Sequence, residues 1–334
     1  MKPAVRRTTS EWTTGDYLGA VRSRISNFRM RYAVEPGLYA LGEPGADSDV
    51  FVTANYKLSF DTLRKSLKGL NAWILVLDTK SINVWCAAGK GTFGTDELIK
   101  RINETELHKG VNHRKIIVPQ LGAVGVNARA VQQATGFRVY FGPVEAKDIP
   151  AYVLSGYKKT EEMRLVKFTM LDRLILTPME INPSMKKFPL FALIALILFG
   201  LQPSGILFKD AWSGGLPFLV LGLAAVFSGA FITPVFLPFI PFRSFAIKGL
   251  ITGLFATFLI TGFFGLTGLS AISAHLFFPS ASSYIALQFT GSTTFTSMSG
   301  VKKELKTAIP LYLTATALSL LLLTIHKLYR WEIL

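Results

Sequence analysis

The chain has 334 residues, 50% of them hydrophobic and only 17% charged, with 36 basic residues against 21 acidic and a formal net charge of +15. An ordinary soluble protein carries about 25% charged residues, so a purely soluble or disordered chain is excluded as the expectation. A single cysteine excludes an internal disulfide, a cysteine-built zinc site and an iron–sulfur cluster held by this chain alone.

Residues 1–35 are rich in arginine and lack apolar runs, and they read as a basic surface arm with one short helix at most. No secretory leader is expected there. Residues 36–185 read as a mildly basic folded domain. Within it, 49–53 (DVFVT) predict a strand and 59–67 (SFDTLRKSL) a helix capped by Ser59. Residues 72–77 (AWILVL) are a continuous apolar run, as expected of a strand covered on both faces. Residues 82–85 are a second short apolar stretch. A helix over 95–108 has Thr95 as cap and acids in its first turn. Strands follow at 115–118 (KIIV) and 137–141 (FRVYF), with a helix at 127–134 closed by Gly136 between them and another at 146–154. Alternating strands and helices predict a doubly wound, Rossmann-like α/β sheet. In such sheets ligands bind beyond the carboxyl ends of the strands. The loops there offer Thr53, Asn55, Thr79, Gln120, Gly122 and Gly142 to a polar ligand edge; the alternative is that they are turn residues and no more.

The most informative stretch is 83–90: Asn83, Val84, Trp85, Cys86, Ala87, Ala88, Gly89 and Lys90. A lone cysteine ordinarily serves as a small buried hydrophobe. Here Ala87, Ala88 and Gly89 follow it directly and would let a large flat ligand approach the backbone. A helix beginning at this point would direct its amino-terminal amides at the thiol and favour thiolate, with Lys90 assisting. Trp85 either flanks such a ligand or packs in the core. Gly89, Gly91 and Gly94 also satisfy G-x-G-x-x-G, the dinucleotide fingerprint. That fingerprint wants an acid about 20 residues on, and 110–115 (GVNHRK) has none. The phosphate-loop pattern fails because Gly91, rather than Ser or Thr, follows Lys90.

From Lys186 onward the character changes. The basic residues there are Lys186, Lys187, Lys209, Arg243, Lys248, Lys302, Lys303, Lys306, Lys327 and Arg330; the acids are Asp210, Glu304 and Glu332. A bilayer crossing needs about 20 apolar residues. Five all-α crossings are expected over 188–208, 213–240, 249–267, 271–289 and 307–326, making 186–334 a transmembrane domain. With five crossings, seven of the ten basic residues fall on the side of the amino-terminal domain, which places that domain in the cytoplasm and the chain in the cell's inner membrane. The basic excess then reflects topology, and no aromatic–basic pattern of a nucleic-acid module accompanies it. The hydroxyl-rich stretch 290–300 reads as a polar connecting loop or a re-entrant turn.

The segment SINVWCAAGKGTFGT, with NVWCAAGK at its centre, resembles the signature of the membrane-anchored corrinoid protein of mercury methylation. The resemblance continues in TANYKLSF (53–60), WILVLDTK (73–80), PQLGA (119–123) and TGSTTFTSMSGV (290–301), and so covers most of 35–330. Ser81 stands where that family most often has glycine. The family joins a corrinoid domain, similar to that of the corrinoid iron–sulfur protein of acetyl-CoA synthesis, to a membrane domain.

The resemblance implies a cobalamin-type corrinoid with Cys86 as lower axial ligand to cobalt, the neighbouring residues 83–90 lining the macrocycle, and methyl transfer to mercury(II). Mercury(II) is electron-poor, so methyl must reach it with its bonding electrons or as a radical. A soft anionic donor on the metal favours that direction. His108, His113, His275 and His326 do not sit in the Asp-x-His-x-x-Gly motif of histidine-ligated corrinoid proteins. Mercury(II) prefers two thiolates, so it is expected to arrive on the thiols of another molecule. A ferredoxin-like partner with two [4Fe–4S] clusters, acting as reductant and mercury donor, and a methyltetrahydrofolate-type methyl donor are likewise implied. Two other readings stand beside this one: a membrane-tethered corrinoid carrier of one-carbon metabolism, and a transporter with a nucleotide-sensing domain.

Overall fold

In the computed structural model, which describes residues 5–292 and 295–333, the apolar run at 72–77 lies inside a six-stranded sheet. The strands are β1 (Arg6–Thr8), β2 (Gly37–Leu41), β3 (Val50–Ala54), β4 (Ala72–Leu77), β5 (Lys115–Val118) and β6 (Arg138–Phe141), in the spatial order β1-β2-β4-β3-β5-β6. β4, β3, β5 and β6 are parallel, β2 is antiparallel to β4, and β1 is parallel to β2. Helix α2 (Lys57–Ser66) carries the chain from β3 to β4. The helices α3 (Val84–Lys90), α4 (Thr95–Glu104) and α5 (Leu107–Gly110) carry it from β4 to β5, α6 (Ala128–Thr135) from β5 to β6, and α7 (Ile149–Leu154) follows. The chain steps outward from β3 to β4, then returns past β3 to form β5. The strand order therefore reverses between β3 and β5, and a crevice opens at their carboxyl ends.

The continuous apolar run has a simple cause. In β4, Leu75 and Leu77 join one buried cluster with Ala87 and Ala88 of α3, Leu98 of α4 and Val131 of α6. Ile74 and Val76 join a second cluster with Phe60 and Leu63 of α2 and Tyr152 of α7. Alternate side chains meet opposite layers, and both layers are apolar.

Several boundaries differ from the sequence expectation. Helix α2 begins at Lys57, and its cap is Tyr56 without a side-chain bond, not Ser59. Gly94, not Thr95, caps α4; the Thr95 hydroxyl instead accepts the Asn127 amide at 2.9 Å. Gly136 closes α6 in the left-handed conformation (φ 78°), as expected.

Residues 1–35 are not a loose arm, because β1 joins the sheet and α1 (Thr14–Ile25) packs beside α2. Its anchor is ionic rather than apolar, which is why no apolar run announced it. Asp16 of α1 meets Lys57 at 2.5 Å and Arg64 at 2.8 Å, and both cations also hold Asp61, at 2.6 and 2.8 Å. Arg64 further donates to the carbonyls of Thr9 and Glu11.

The contacts divide the chain into two units, Met1–Lys167 and Phe168–Leu334, so the boundary lies before the expected residue 185. The reason is α8 (Met170–Leu176), whose Arg173 donates twice to the Val235 carbonyl, at 3.1 and 3.0 Å. The second unit continues with α9 (Pro178–Gly200), a hairpin of β7 (Leu201–Gln202) and β8 (Gly205–Ile206), α10 (Phe208–Phe227), α11 (Thr233–Val235), α12 (Phe245–Phe263), α13 (Gly268–Gln288) and α14 (Met298–Arg330). By length and composition, four stretches are long and apolar enough to cross a membrane: Met170–Gly200, Phe208–Val235, Phe245–Phe263 and Ser299–Arg330. α13, expected as a fifth, is not among them. It carries buried serines, of which Ser282 donates to the Gly249 carbonyl and Ser283 to that of Ala246. In the hydroxyl-rich stretch, Ser297 caps α14 through the Gly300 amide; Thr293 and Thr294 lie outside the described residues.

Candidate functional site

The cysteine segment folds into α3, directly beyond the carboxyl end of β4. Asn83 caps the helix, and its Oδ1 accepts the Cys86 amide at 2.9 Å. Cys86 therefore sits in the first turn, half-buried, with a backbone fixed by its neighbour. α3 packs against β3 and against the 3-10 turn Gln120–Gly122 that follows β5. The helix that carries Cys86 is thereby held beside β3 and the turn that follows β5.

Two faces of α3 differ sharply. Ala87 and Ala88 are buried in the core. The backbone at Ala88 is approached closely by Gly125, where a Cβ would lie 3.2 Å from the Ala88 Cα and 2.1 Å from the Phe93 carbonyl oxygen. Both alanines, expected to make room for a ligand, therefore turn toward the core in this structure. Val84 packs against the same core. The outward face carries Trp85, 37% exposed, with Gly89 and Lys90 exposed beside it. A Cβ on Gly89 would meet nothing within 4 Å, so room for a flat ligand lies on this side.

The loop entering α3 is held by Asn55, at the end of β3. Asn55 Oδ1 accepts the amides of Thr79 and Ser81, each at 3.1 Å. The Thr79 hydroxyl lies 2.9 Å from Asn55 Oδ1 and 2.6 Å from the Ile82 carbonyl, and its one proton serves one of them. Thr79 is fully buried and Asn55 nearly so. Both act from inside, shaping the loop, in keeping with the turn-residue alternative that the sequence left open beside a polar ligand edge. Lys80 and Ser81 are both left-handed, at φ 58° and 60°. The strain at Ser81 accounts physically for the glycine expected there.

The other expected positions play varied parts. Thr53 is buried within β3. Gln120 accepts a hydrogen bond from Lys159. Gly122 is a packing requirement, since its Cβ would lie 2.5 Å from the Phe93 ring. Gly142 donates to the Val118 carbonyl at 2.8 Å. Sequence reasoning missed Glu97, which accepts the Asp78 amide at 2.9 Å and pairs with Arg101 at 2.6 Å. An acid in the first turn of α4 was its only signal. The Lys80 ammonium, hydrogen-bonded to Asp78, holds that carboxyl below the usual range.

The glycine triplet does not form a dinucleotide turn. Gly91 closes α3 with φ 81° and Gly94 opens α4, so the triplet joins two helices, whereas the fingerprint joins a strand to a helix. His113 is occupied, with Nε2 3.0 Å from the Ser48 carbonyl and Nδ1 accepting the Lys115 amide. Among the described residues no three His, Cys, Asp or Glu side chains gather to hold a metal ion. A single soft donor on an open helix face fits a metal whose other positions a macrocycle already fills.

Residues 24–153 match the family described as CO dehydrogenase/acetyl-CoA synthase delta subunit. That region includes β2 to β6 and all of α3. That stretch of the first unit is similar to these subunits. Among curated proteins, similarity is found to acetyl-CoA decarbonylase/synthase complex subunit gamma of Archaeoglobus fulgidus, 33% identical over 130 residues, 38% of this chain and 27% of that protein. The same subunit of Methanopyrus kandleri is 31% identical over 132 residues, 39% and 28% of the two chains. That of Methanothermobacter thermautotrophicus is 32% identical over 147 residues, 43% and 32%. The chain thus spans between a quarter and a third of the length of these relatives. Of the resemblance expected from the cysteine motif, the coarser part, to the acetyl-CoA synthesis proteins, is the one these matches bear out; the mercury-methylation part stays an expectation.

Proposed function

We propose that the chain is a corrinoid-dependent methyltransferase whose acceptor is mercury(II), with Cys86 as lower axial donor to the cobalt. The observation that carries this reading is the half-buried Cys86 in the first turn of α3, beyond the carboxyl ends of parallel strands, within a unit related to acetyl-CoA synthesis subunits. When bound, a corrinoid supplies a cobalt centre that accepts and releases a methyl group. The chain's residues present and orient the donor. Asn83 fixes the Cys86 backbone, and Asn55 and Thr79 fix the loop before it. Trp85, Gly89 and Lys90 form the exposed face against which the macrocycle would lie, with Gln120, Gly122 and Gly142 at the ends of the neighbouring strands.

The acceptor is assigned from the likeness of NVWCAAGK to the mercury-methylation signature and from the chemistry of a soft thiolate donor. The partners follow from the same likeness: a ferredoxin-like protein with two [4Fe–4S] clusters, a methyltetrahydrofolate-type donor, and mercury(II) delivered as a thiolate. The four long apolar stretches support a multi-pass membrane location; the placing of the first unit in the cytoplasm and of the chain in the inner membrane rests on the five-crossing count of flanking basic residues alone. Similarity to acetyl-CoA decarbonylase/synthase subunits favours a second reading, a membrane-tethered methyl carrier with another acceptor.

Anaerobic purification of the full chain, with cobalt analysis and absorption spectroscopy, is expected to give one cobalt per chain. Supplied with a methyl donor and thiol-bound mercury(II), the wild type is expected to form methylmercury and Cys86→Ala to form none. A colourless, cobalt-free protein refutes the whole reading. Cobalt without mercury methylation selects the carrier.

A further inference from the structure

Helix α1 turns its apolar side outward. Its inward face carries Asp16, Gly19, Ala20 and Ser23, all buried. Its large side chains, Tyr17, Leu18, Val21 and Ile25, are exposed, Leu18 at 59% and Val21 at 55%. A helix advances about 100° per residue, so these four share one stripe about 100° wide. By the same spacing Arg24 flanks the Tyr17 edge of the stripe and Arg22 the Leu18 edge.

The inversion is locked from within. Asp16 is held by Lys57 and Arg64 of α2 and accepts the Thr13 amide at 2.8 Å. Gly19 rests against Tyr32, where a Cβ would lie 2.1 Å from the hydroxyl oxygen and 2.5 Å from the ring carbon that bears it. Rolling α1 to bury its apolar stripe would break the clasp and drive large side chains into Tyr32. The stripe therefore stays on the surface, where contact with water is unfavourable.

Charge points to what covers it. Residues 14–31 hold four arginines and a single acid, Asp16, which is spent inside. The surface is apolar along its middle and cationic at its edges. That is the pattern of a helix lying in a lipid–water interface, where arginine stems follow apolar surface and their heads meet headgroups. An acidic protein would match the charge as well. Under the proposed membrane location, however, the bilayer is carried by the chain's own four membrane-length stretches. Docking on it is then an intramolecular event at high effective concentration, an advantage that a protein partner lacks.

We propose that the Tyr17–Ile25 face of α1 docks on an anionic lipid surface, with the stripe at the headgroup–acyl boundary and Arg22 and Arg24 on the headgroups. The inference rests on the membrane location and not on corrinoid chemistry.

The test uses the full chain in nanodiscs of phosphatidylcholine, or of phosphatidylcholine with an equal part of phosphatidylglycerol. Val21 is replaced by photoreactive p-benzoylphenylalanine, and adducts are read by mass spectrometry. Lys100, exposed on α4, is replaced in the same way as a control. Position 21 is expected to give lipid adducts in the mixed discs and several-fold fewer in phosphatidylcholine, and position 100 few in either. In the unmodified chain, the α1 amides should exchange with deuterium several-fold more slowly in mixed discs than in phosphatidylcholine, an effect that fades as salt rises. Arg22→Gln with Arg24→Gln should lower the docked-to-undocked ratio about fivefold for each arginine removed. A chain that does not enter nanodiscs refutes the membrane location, and this inference with it. A chain that enters, yet at position 21 gives adducts to protein rather than lipid, none at all, or the same yield and exchange in both lipids, overturns the docking alone.

Discussion

Ser81 shows how a single backbone angle shapes the site. Its φ of 60° places an L-residue in the left-handed region two positions before the helix cap. A left-handed conformation costs a non-glycine residue about 1–2 kcal/mol. The Ser81 amide, held by Asn55, keeps the turn in place despite that cost. Ser81→Gly is expected to raise stability by about 0.5–1 kcal/mol, read as a higher denaturant midpoint at unchanged slope. Asn83 works the other way. Asn83→Ala removes the bond to the Cys86 amide and should cost about 1 kcal/mol. It should also lower corrinoid occupancy, because the thiol loses its fixed position; unchanged cobalt content in the purified variant would count against Asn83 as the residue that positions Cys86.

At the scale of elements, two contacts stand out, of which the first holds the site. The first is the approach of α3 to the loop after β5. A methyl group at Gly125 meets the Phe93 and Ala88 backbones, neither of which can swing aside like a flexible side chain. Gly125→Ala is therefore expected to cost about 1–3 kcal/mol and to displace α3, measured as a lower midpoint together with reduced cobalt loading. The second is the ionic clasp of α1 on α2. Burial alone would raise the Asp16 carboxyl, but hydrogen bonds from Lys57, Thr13 and Arg64 outweigh it and hold the group well below the usual carboxylate range. For Lys57, burial is likewise outweighed by Asp16 and Asp61, and the ammonium is held above its ordinary value. A lowered carboxyl stabilises the fold above its unfolded pKa of about 4 and loses that contribution as pH falls. A raised ammonium stabilises below about 10.4 and loses its contribution as pH rises. The clasp should thus be strongest between about pH 4 and pH 10, and Asp16→Asn should flatten the acid limb of a stability–pH profile. Arg64→Met leaves two buried carboxylates short of a partner and should cost about 3–5 kcal/mol.

At the scale of the molecule, the two units have separate cores. The sheet clusters draw all their buried residues from before Lys167, and the helical clusters draw all of theirs from after it. A chain of residues 1–167 is therefore expected to fold alone, to remain soluble without detergent and to show α/β circular dichroism with a cooperative melt. An aggregate lacking a melt would mean that the second unit completes the first.

Much of this was legible without coordinates, because local physics wrote it. Apolar runs marked β4 and the long helices, Gly136 marked the end of α6, and the single cysteine with its small neighbours marked α3. What remained hidden depended on contacts distant in sequence. Nothing local says that Asn55 reaches across to Thr79 and Ser81, that Gly125 yields space to Ala88, or that an arginine-rich opening is clasped by Asp16, Lys57 and Arg64. A residue's chemistry and helical or strand period are properties of its neighbourhood in the chain. Which face it turns inward, and against what, is set only when distant segments are brought together.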